Sequence, residues 1–290
     1  MTDAVDRRLS MREIDVTKIR DAVRELCLKA NFELRGDVLR AIRKAIPKER
    51  NARAKSLLKS IVENAGIAKS KRLAICQDTG IVFVRLELGQ EVALVGGDIE
   101  EAINDGVREA YSKGCLRKSV VGDPLTRSNT NTNTPAFISP EIVPGDRVRI
   151  DVMVKGFGSE NKSQVKMFKP TETVEDIKGF IKAVVKGAGP DACPPFVLGV
   201  GIGGTFDVAG LLAKKALLRP VGEPSPKKNL KKLERELLKE INSMGIGPMA
   251  LGGDTTVLGV NIIDAPTHIA GLPVAVNVSC HATRSAGKII

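Results

Sequence analysis

A chain of 290 residues, 42% hydrophobic and 27% charged, can bury a sizeable core in one large or two medium domains. No apolar run is long enough to cross a bilayer and the charged start Met1-Thr2-Asp3-Ala4-Val5-Asp6 is unlike a signal peptide, so a cytoplasmic protein with no membrane partner is expected. A net charge of +11 would suit nucleic acid, an anionic substrate or a Lys-rich, heat-adapted chain, but aromatics make up only 3%, with no Trp and one Tyr, which removes the stacking platforms of single-strand binders.

The basic residues also alternate with acids, as in Lys227-Lys228-Asn229-Leu230-Lys231-Lys232-Leu233-Glu234-Arg235-Glu236, the pattern of a solvated helix face. No nucleic-acid partner is expected. The five cysteines, Cys27, Cys76, Cys115, Cys193 and Cys280, are odd in number and widely spread, which argues against a disulfide framework.

Residues 15–66 are predicted helical. Val16, Ile19, Val23 and Leu26 make one apolar stripe, on which Cys27 is a core residue. A second helix near 36–45 is closed by Pro47, and a third carries Leu57, Leu58, Ile61 and Val62 and stops at Gly66. This segment, 1–70, offers no chemistry of its own. From 71 to 290 the pattern becomes a mixed body continuous with the helical segment. Ile81–Leu88 starts as an apolar run and then alternates as a strand. Asp98 caps a helix with Ile99, Ile103, Val107 and Tyr111 on one face, ended by Gly114. Val148, Ile150, Val152 and Val154 alternate as a second strand, and Thr173 opens a helix burying Ile177, Phe180, Ile181, Val184 and Val185. A helix from Ser225 (cap) and Pro226 (first position) to Gly245 buries Leu230, Leu233, Leu237 and Ile241; 256–260 and 274–278 are late strands. Strands and helices without a strict βαβ beat indicate an α/β fold, with α+β as the variant.

The chemistry-bearing stretches begin with Ile75-Cys76-Gln77-Asp78-Thr79-Gly80, where a thiol, an amide and a carboxylate precede a glycine able to reverse the chain. Gly199-Val200-Gly201-Ile202-Gly203-Gly204 satisfies G-x-G-x-x-G, and a dinucleotide-binding oxidoreductase is the reading it offers. The following acidic residue, Glu223, sits in a Gly-Pro turn and no βαβ unit precedes the glycines, so a tight-turn or anion-cradling loop is the expectation. Arg127 leads an Asn-Thr run, 128–134, which reads equally as a polar linker or as hydrogen-bonding groups beside an arginine that can grip a carboxylate. His268 and His281 are the only histidines and lie on either side of Cys280; they are structural or part of a site. Cys76, Cys193 and Cys280 each fall at a junction of loop and element, without short-range ligand spacing. Thiolates of this kind suit zinc or an iron–sulfur cluster.

Together these stretches resemble the class I, iron–sulfur fumarate hydratases and the related L-tartrate dehydratases, in the N-terminal region of single-chain enzymes or the α subunit of two-chain ones. The resemblance is carried by Cys76–Gly80, Arg127 with its Asn-Thr run, Gly156-Phe157-Gly158-Ser159-Glu160-Asn161-Lys162, Ala192-Cys193-Pro194-Pro195, Gly201-Ile202-Gly203-Gly204-Thr205, and Ala265-Pro266-Thr267-His268 through Ser279-Cys280. It runs in family order over residues 70–285, more loosely before that.

The resemblance implies an oxygen-sensitive [4Fe–4S] cluster held by Cys76, Cys193 and Cys280, one iron keeping an open position as a Lewis acid. It implies that Gln77, Asp78, Arg127, Gly158 and His268 contact a small dicarboxylate, with Asp78 assisting proton transfer. Cys27 and Cys115 match no ligand position. The implied reaction is reversible hydration of fumarate to L-malate; L-tartrate dehydration is the alternative, since the substrates differ by a hydroxyl. Single-chain members have a further C-terminal domain that supplies arginines, a lysine and a threonine base. The expectation is therefore a separate β subunit completing the site, as α2β2, with a homodimer of this chain also compatible.

Overall fold

The computed structural model describes residues 11–290; the charged N-terminal stretch lies outside the described residues. In chain order the elements are β1 (Arg12–Asp15), α1 (Val16–Phe32), α2 (Gly36–Ala45), α3 (Ala52–Lys71), β2 (Ile81–Gly89), β3 (Val92–Val95) and α4 (Ile99–Lys113). Then come β4 (Phe137–Val143), β5 (Val148–Lys155), the one-turn α5 (Phe157–Glu160), β6 (Gln164–Phe168) and α6 (Val174–Ala188). The chain ends with β7 (Phe196–Gly204), α7 (Phe206–Ala216), α8 (Lys228–Asn242), β8 (Val257–Thr267), β9 (Leu272–Ser279) and β10 (Ser285–Ile289). The mix of sheets and helices is the α/β class expected. No helix among the described residues is long and apolar enough to cross a membrane.

These elements form two compact units. Of the described residues, the first is built from 11–32, Cys76–Lys155 and Arg284–Ile290; the second from Glu33–Ile75 and Gly156–Thr283. In the first unit a four-stranded sheet has the order β10-β5-β2-β4, with β5 antiparallel to β2 and β10, and β4 parallel to β2. Helices α1 and α4 pack on one another, and α1 also packs on β5 and β10. The predicted stripes do this packing: Val16, Ile19, Val23, Leu26 and Cys27 of α1 are buried, as are Ile103, Val107 and Tyr111 of α4. Asp98 caps α4 by accepting the Glu101 amide at 2.8 Å. Strand β1 was not anticipated. Its four residues, three of them charged, carry no period, and only pairing with β3 makes them a strand.

The second unit holds a sheet of order β6-β9-β7-β8. Alternation along β7 divides its side chains: Phe196, Leu198 and Val200 meet α6 and α8, with Ile181, Val184, Leu237 and Ile241 in one core. The other side of β7 offers Gly199 and Gly201 to α7. A Cβ at Gly199 would fall 2.0 Å from the Ala213 carbonyl oxygen, and one at Gly201 would fall 2.1 Å from that of Ala209. Helices α2 and α3 carry a second cluster, with Val38, Ile42, Leu58, Ile61 and Ala65 around Ile75 and Ala282.

The glycine run is thus a strand interior, a correction to the expected loop. β7 pairs with β8 from Phe196 to Ile202, slips register and pairs once more at Gly204, and pairs with β9 along Val197–Ile202, so Gly199 and Gly201 lie in sheet ladders rather than in a loop around a pyrophosphate. Two helix ends also differ from expectation. α3 runs through Gly66 to Lys71 and closes on Arg72 in the left-handed region (φ 52°), because an isolated glycine weakens a packed helix without ending it. α8 begins at Lys228 because the Ser225 amide donates to the buried Glu234 carboxylate at 2.8 Å, holding Ser225 outside the helix.

Gly199→Ala is expected to destabilise the chain by about 1–3 kcal/mol in urea unfolding, since backbone must move to admit the methyl group. Gly210→Ala, in α7 with nothing within 4 Å of an added Cβ, is expected to be neutral or stabilising by about 0.5–1 kcal/mol.

Candidate functional site

In the first unit the Cys76–Gly80 stretch is fixed through its carbonyls. A buried Arg284 donates to the Asp78 carbonyl at 2.7 Å and to Asn31 Oδ1 at 3.4 Å. The Tyr111 hydroxyl donates to the carbonyls of Thr79 (2.5 Å) and Gly80 (3.1 Å), and Asn133 Nδ2 donates to Gly80 at 3.2 Å. Burial pushes the Tyr111 phenol well above its ordinary pKa, so it remains a neutral donor. Gly80 has φ 74° and lies so close to β5 that a Cβ would be 2.8 Å from the Lys155 backbone. Asp78 Oδ1 accepts the Gly80 amide at 3.0 Å, which orients the carboxylate by a turn within the motif. With three successive carbonyls engaged, the partly exposed Cys76 and Asp78 and the exposed Gln77 project their side chains from a rigid turn.

The Asn-Thr run is an ordered loop. Asn133 is fully buried at φ 62° and also accepts the Ser119 amide at 2.8 Å, while Asn129 Nδ2 donates to the Lys118 carbonyl. Arg127 has φ 64° and is exposed; its amide donates to the Asp123 carbonyl at 2.9 Å. Amides of Thr126 and Leu125 donate to the Asp123 carboxylate and lower its pKa, closing the turn that presents Arg127.

In the second unit Cys193 follows a single turn of 3-10 helix, Pro190–Ala192, and has φ 53°. Its carbonyl accepts the His281 amide at 3.2 Å and lies 3.1 Å from His281 Nδ1. The turn bearing Cys193 is thereby joined to the residue that follows Cys280. Cys280 directly follows β9 and packs against the α2–α3 cluster, and its carbonyl accepts Thr283 Oγ1 at 2.8 Å. Gly158, in α5, belongs to the same neighbourhood: a Cβ there would fall 2.9 Å from the Asp191 carbonyl oxygen. His268 is exposed on the β8–β9 turn, where Nδ1 accepts the Ala270 amide at 3.1 Å, placing the ring proton on Nε2. Thr267 Oγ1 donates to the Gly204 carbonyl at 2.9 Å and ties that turn to the end of β7.

Several supporting residues escaped sequence reading. Glu160 pairs with Lys214 of α7 and accepts Asn277 Nδ2 at 2.8 Å, while Ser163 Oγ accepts the Val278 amide at 3.1 Å. These contacts moor α5 to α7 and β9. Asn277, polar between Val276 and Val278 in an apolar strand, was the available signal. Arg284 and Tyr111 had none, since only the fold brings them under the Cys76–Gly80 carbonyls.

None of the five cysteines is in a disulfide. Among the described residues no three Cys, His, Asp or Glu side chains converge as ligands of a single metal ion do. Cys76 in the first unit and Cys193 and Cys280 in the second are each partly exposed thiols on a constrained turn or beside a strand end, the donor type that iron–sulfur clusters take. Cys27 is unsuited, because complete burial pushes its thiol up to about 12. Cys115 is exposed at φ 49°, just past the end of α4.

A model of the fumarate hydratase (Fumerase) family matches residues 20–288. The chain is 45% identical over 280 residues to the putative L(+)-tartrate dehydratase subunit alpha of Methanocaldococcus jannaschii, covering 94% of this chain and 98% of that one. It is 29% identical over 279 residues to the L(+)-tartrate dehydratase subunit alpha of Escherichia coli strain K12, covering 95% and 91%.

In the native, metal-free chain at about pH 8, iodoacetamide is expected to label Cys76, Cys115, Cys193 and Cys280 but not Cys27. Peptide mapping before and after unfolding checks this; native labelling of Cys27 would contradict its burial.

Proposed function

The chain belongs to the fumarate hydratase (Fumerase) family and is a hydro-lyase α chain; we propose that it hydrates fumarate reversibly to L-malate, using a [4Fe–4S] cluster held by Cys76, Cys193 and Cys280. The observation that carries this reading is the His281–Cys193 contact. It draws the Cys193 turn toward the end of β9, where Cys280 stands, while Gly158 lies against the same turn. Such a cluster, when bound, supplies Lewis acidity that makes a hydroxyl on the adjacent carbon a better leaving group.

The chain's own residues supply binding and proton transfer. The Asp78 carboxylate, oriented by the Gly80 amide, moves the proton of the hydroxyl that leaves or adds. The Arg127 guanidinium, presented by its closed turn, clamps a substrate carboxylate through two hydrogen bonds. Nε2–H of His268 donates to a carboxylate oxygen, and the Gln77 amide orients the substrate beside Asp78. Gly158, without a side chain, lets the dicarboxylate approach the backbone. A separate β subunit completes the site, as an α2β2 assembly; the designation "subunit alpha" in the relatives supports a partner.

A second reading, L-tartrate dehydration to oxaloacetate, is favoured by the names of the relatives. The two substrates differ by one hydroxyl, which pocket side chains select.

The test is anaerobic reconstitution followed by iron and sulfide analysis and visible spectroscopy. About four irons per chain are expected in wild type, with loss in Cys76→Ala, Cys193→Ala and Cys280→Ala but not in Cys115→Ala. No cluster in wild type would overturn the proposal. With the β subunit added, rates on L-malate and L(+)-tartrate decide the substrate, and Asp78→Asn is expected to lower kcat by about 100-fold or more with the iron content kept.

A further inference from the structure

Away from these residues, the second unit contains a cavity of about 410 Å³ between α2, α8 and the start of β8. Its floor is largely apolar, formed by Ala41, Ala45, Val221, Leu238, Val257 and Leu258, with the polar Asn242 and Thr255 beside them. Its rim carries Arg40, Lys44 and Lys48, spaced four apart on one face of α2 and the turn that continues it.

The charges around the cavity are unbalanced. Its two carboxylates are already engaged. Asp37 takes both ends of the Arg35 fork (3.0 and 2.6 Å) and the Val221 amide (2.6 Å); burial would raise its pKa, but these partners outweigh that and lower it. Asp254 takes the Arg50 fork at 2.9 and 2.6 Å together with the Arg50 amide, which holds it at about 2. Arg40, Lys44 and Lys48 form no ion pair among the described residues, unlike Lys178, Lys182 and Lys232 on α6 and α8, which all pair with glutamates. Favourable interaction with the α2 dipole accounts for cations in its last turn, as for Arg43, but not for three of them converging on one apolar-floored cavity.

We propose that this cavity binds a nucleoside triphosphate, with the polyphosphate along Arg40, Lys44 and Lys48 and the nucleoside on the apolar floor. Arg40 and Lys44 are separated by about 6 Å of helix rise, and Lys48 extends the row, so the cations match a chain of phosphates better than one compact anion. The volume lies in the range of small-molecule sites, about 300–1,000 Å³. No aromatic ring lines the cavity, so the base is not stacked and purine identity is weakly read. The site is built wholly within the second unit from residues that take no part in the proposed hydration.

The test is calorimetric titration of the full chain with ATP, GTP, adenosine and inorganic tripolyphosphate at about 50 and 200 mM salt. ATP and GTP are expected to bind alike and less tightly at the higher salt, tripolyphosphate more weakly, and adenosine not at all. Arg40→Ala/Lys44→Ala/Lys48→Ala is expected to lower ATP affinity at least tenfold with an unchanged circular dichroism spectrum, and Arg43→Ala to leave it unchanged. Should the triple variant misfold, Lys44→Glu alone carries the same expectation. Unchanged affinity in the folded variants, equal loss in Arg43→Ala, binding of adenosine alone, or binding of nucleic acid but not ATP would each overturn the proposal.

Discussion

The carbonyl oxygens of Ala209 and Ala213 in α7 rest where side chains would stand on β7, and only glycine at 199 and 201 permits that contact. The approach has consequences along the second unit. α7 reaches the sheet closely enough for Lys214 to pair with Glu160, and Glu160 in turn holds Asn277 of β9. A short helix of one turn has little stability of its own, so α5, with Gly158, depends on these partners for its place. β9, paired with β7 on one side and β6 on the other, delivers Cys280 at its end and shares with β8 the turn that bears His268. A nucleotide-like glycine pattern therefore serves packing, and the proposed site residues Gly158, His268 and Cys280 stand on elements it positions.

The first unit meets a comparable demand by hydrogen bonding. A turn exposing Cys76, Gln77 and Asp78 needs its backbone satisfied from beneath, and Arg284, Tyr111 and Asn133 engage three consecutive carbonyls from three distant parts of the sequence. A buried guanidinium with carbonyl partners is a costly component, and its use beneath the motif is in keeping with a site that must not shift.

The surplus of positive charge is distributed unevenly. On α8 the basic residues sit among acids above a buried Leu230, Leu233, Leu237 and Ile241 stripe, and exposed pairs such as Lys232–Glu236 contribute little to stability. On α2 the cations have no such partners, and a helix that the sequence presents as packing material becomes the rim of a cavity.

The sequence by itself determined what local periodicity and local chemistry can encode. The α1 and α4 stripes, the Asp98 and Thr173 caps and the alternation of β5 were legible because each depends on neighbours a few residues away. The residues proposed for the site, Cys76-Gln77-Asp78 and the lone Cys193 and Cys280, also stand out chemically from their surroundings in the sequence. Tertiary structure alone decided what the same local patterns mean. G-x-G-x-x-G is compatible with a loop or a strand until β8 and β9 pair with it, and Asn133 is linker-like until it is buried against Gly80. Gly66 would end an isolated helix, yet packing of Leu58, Ile61 and Ala65 carries α3 past it. Arg284 is one more cation in a basic chain until the fold closes over it. In each case the deciding contact joins residues far apart in sequence, and its energy exceeds the few tenths of a kcal/mol by which local preferences differ.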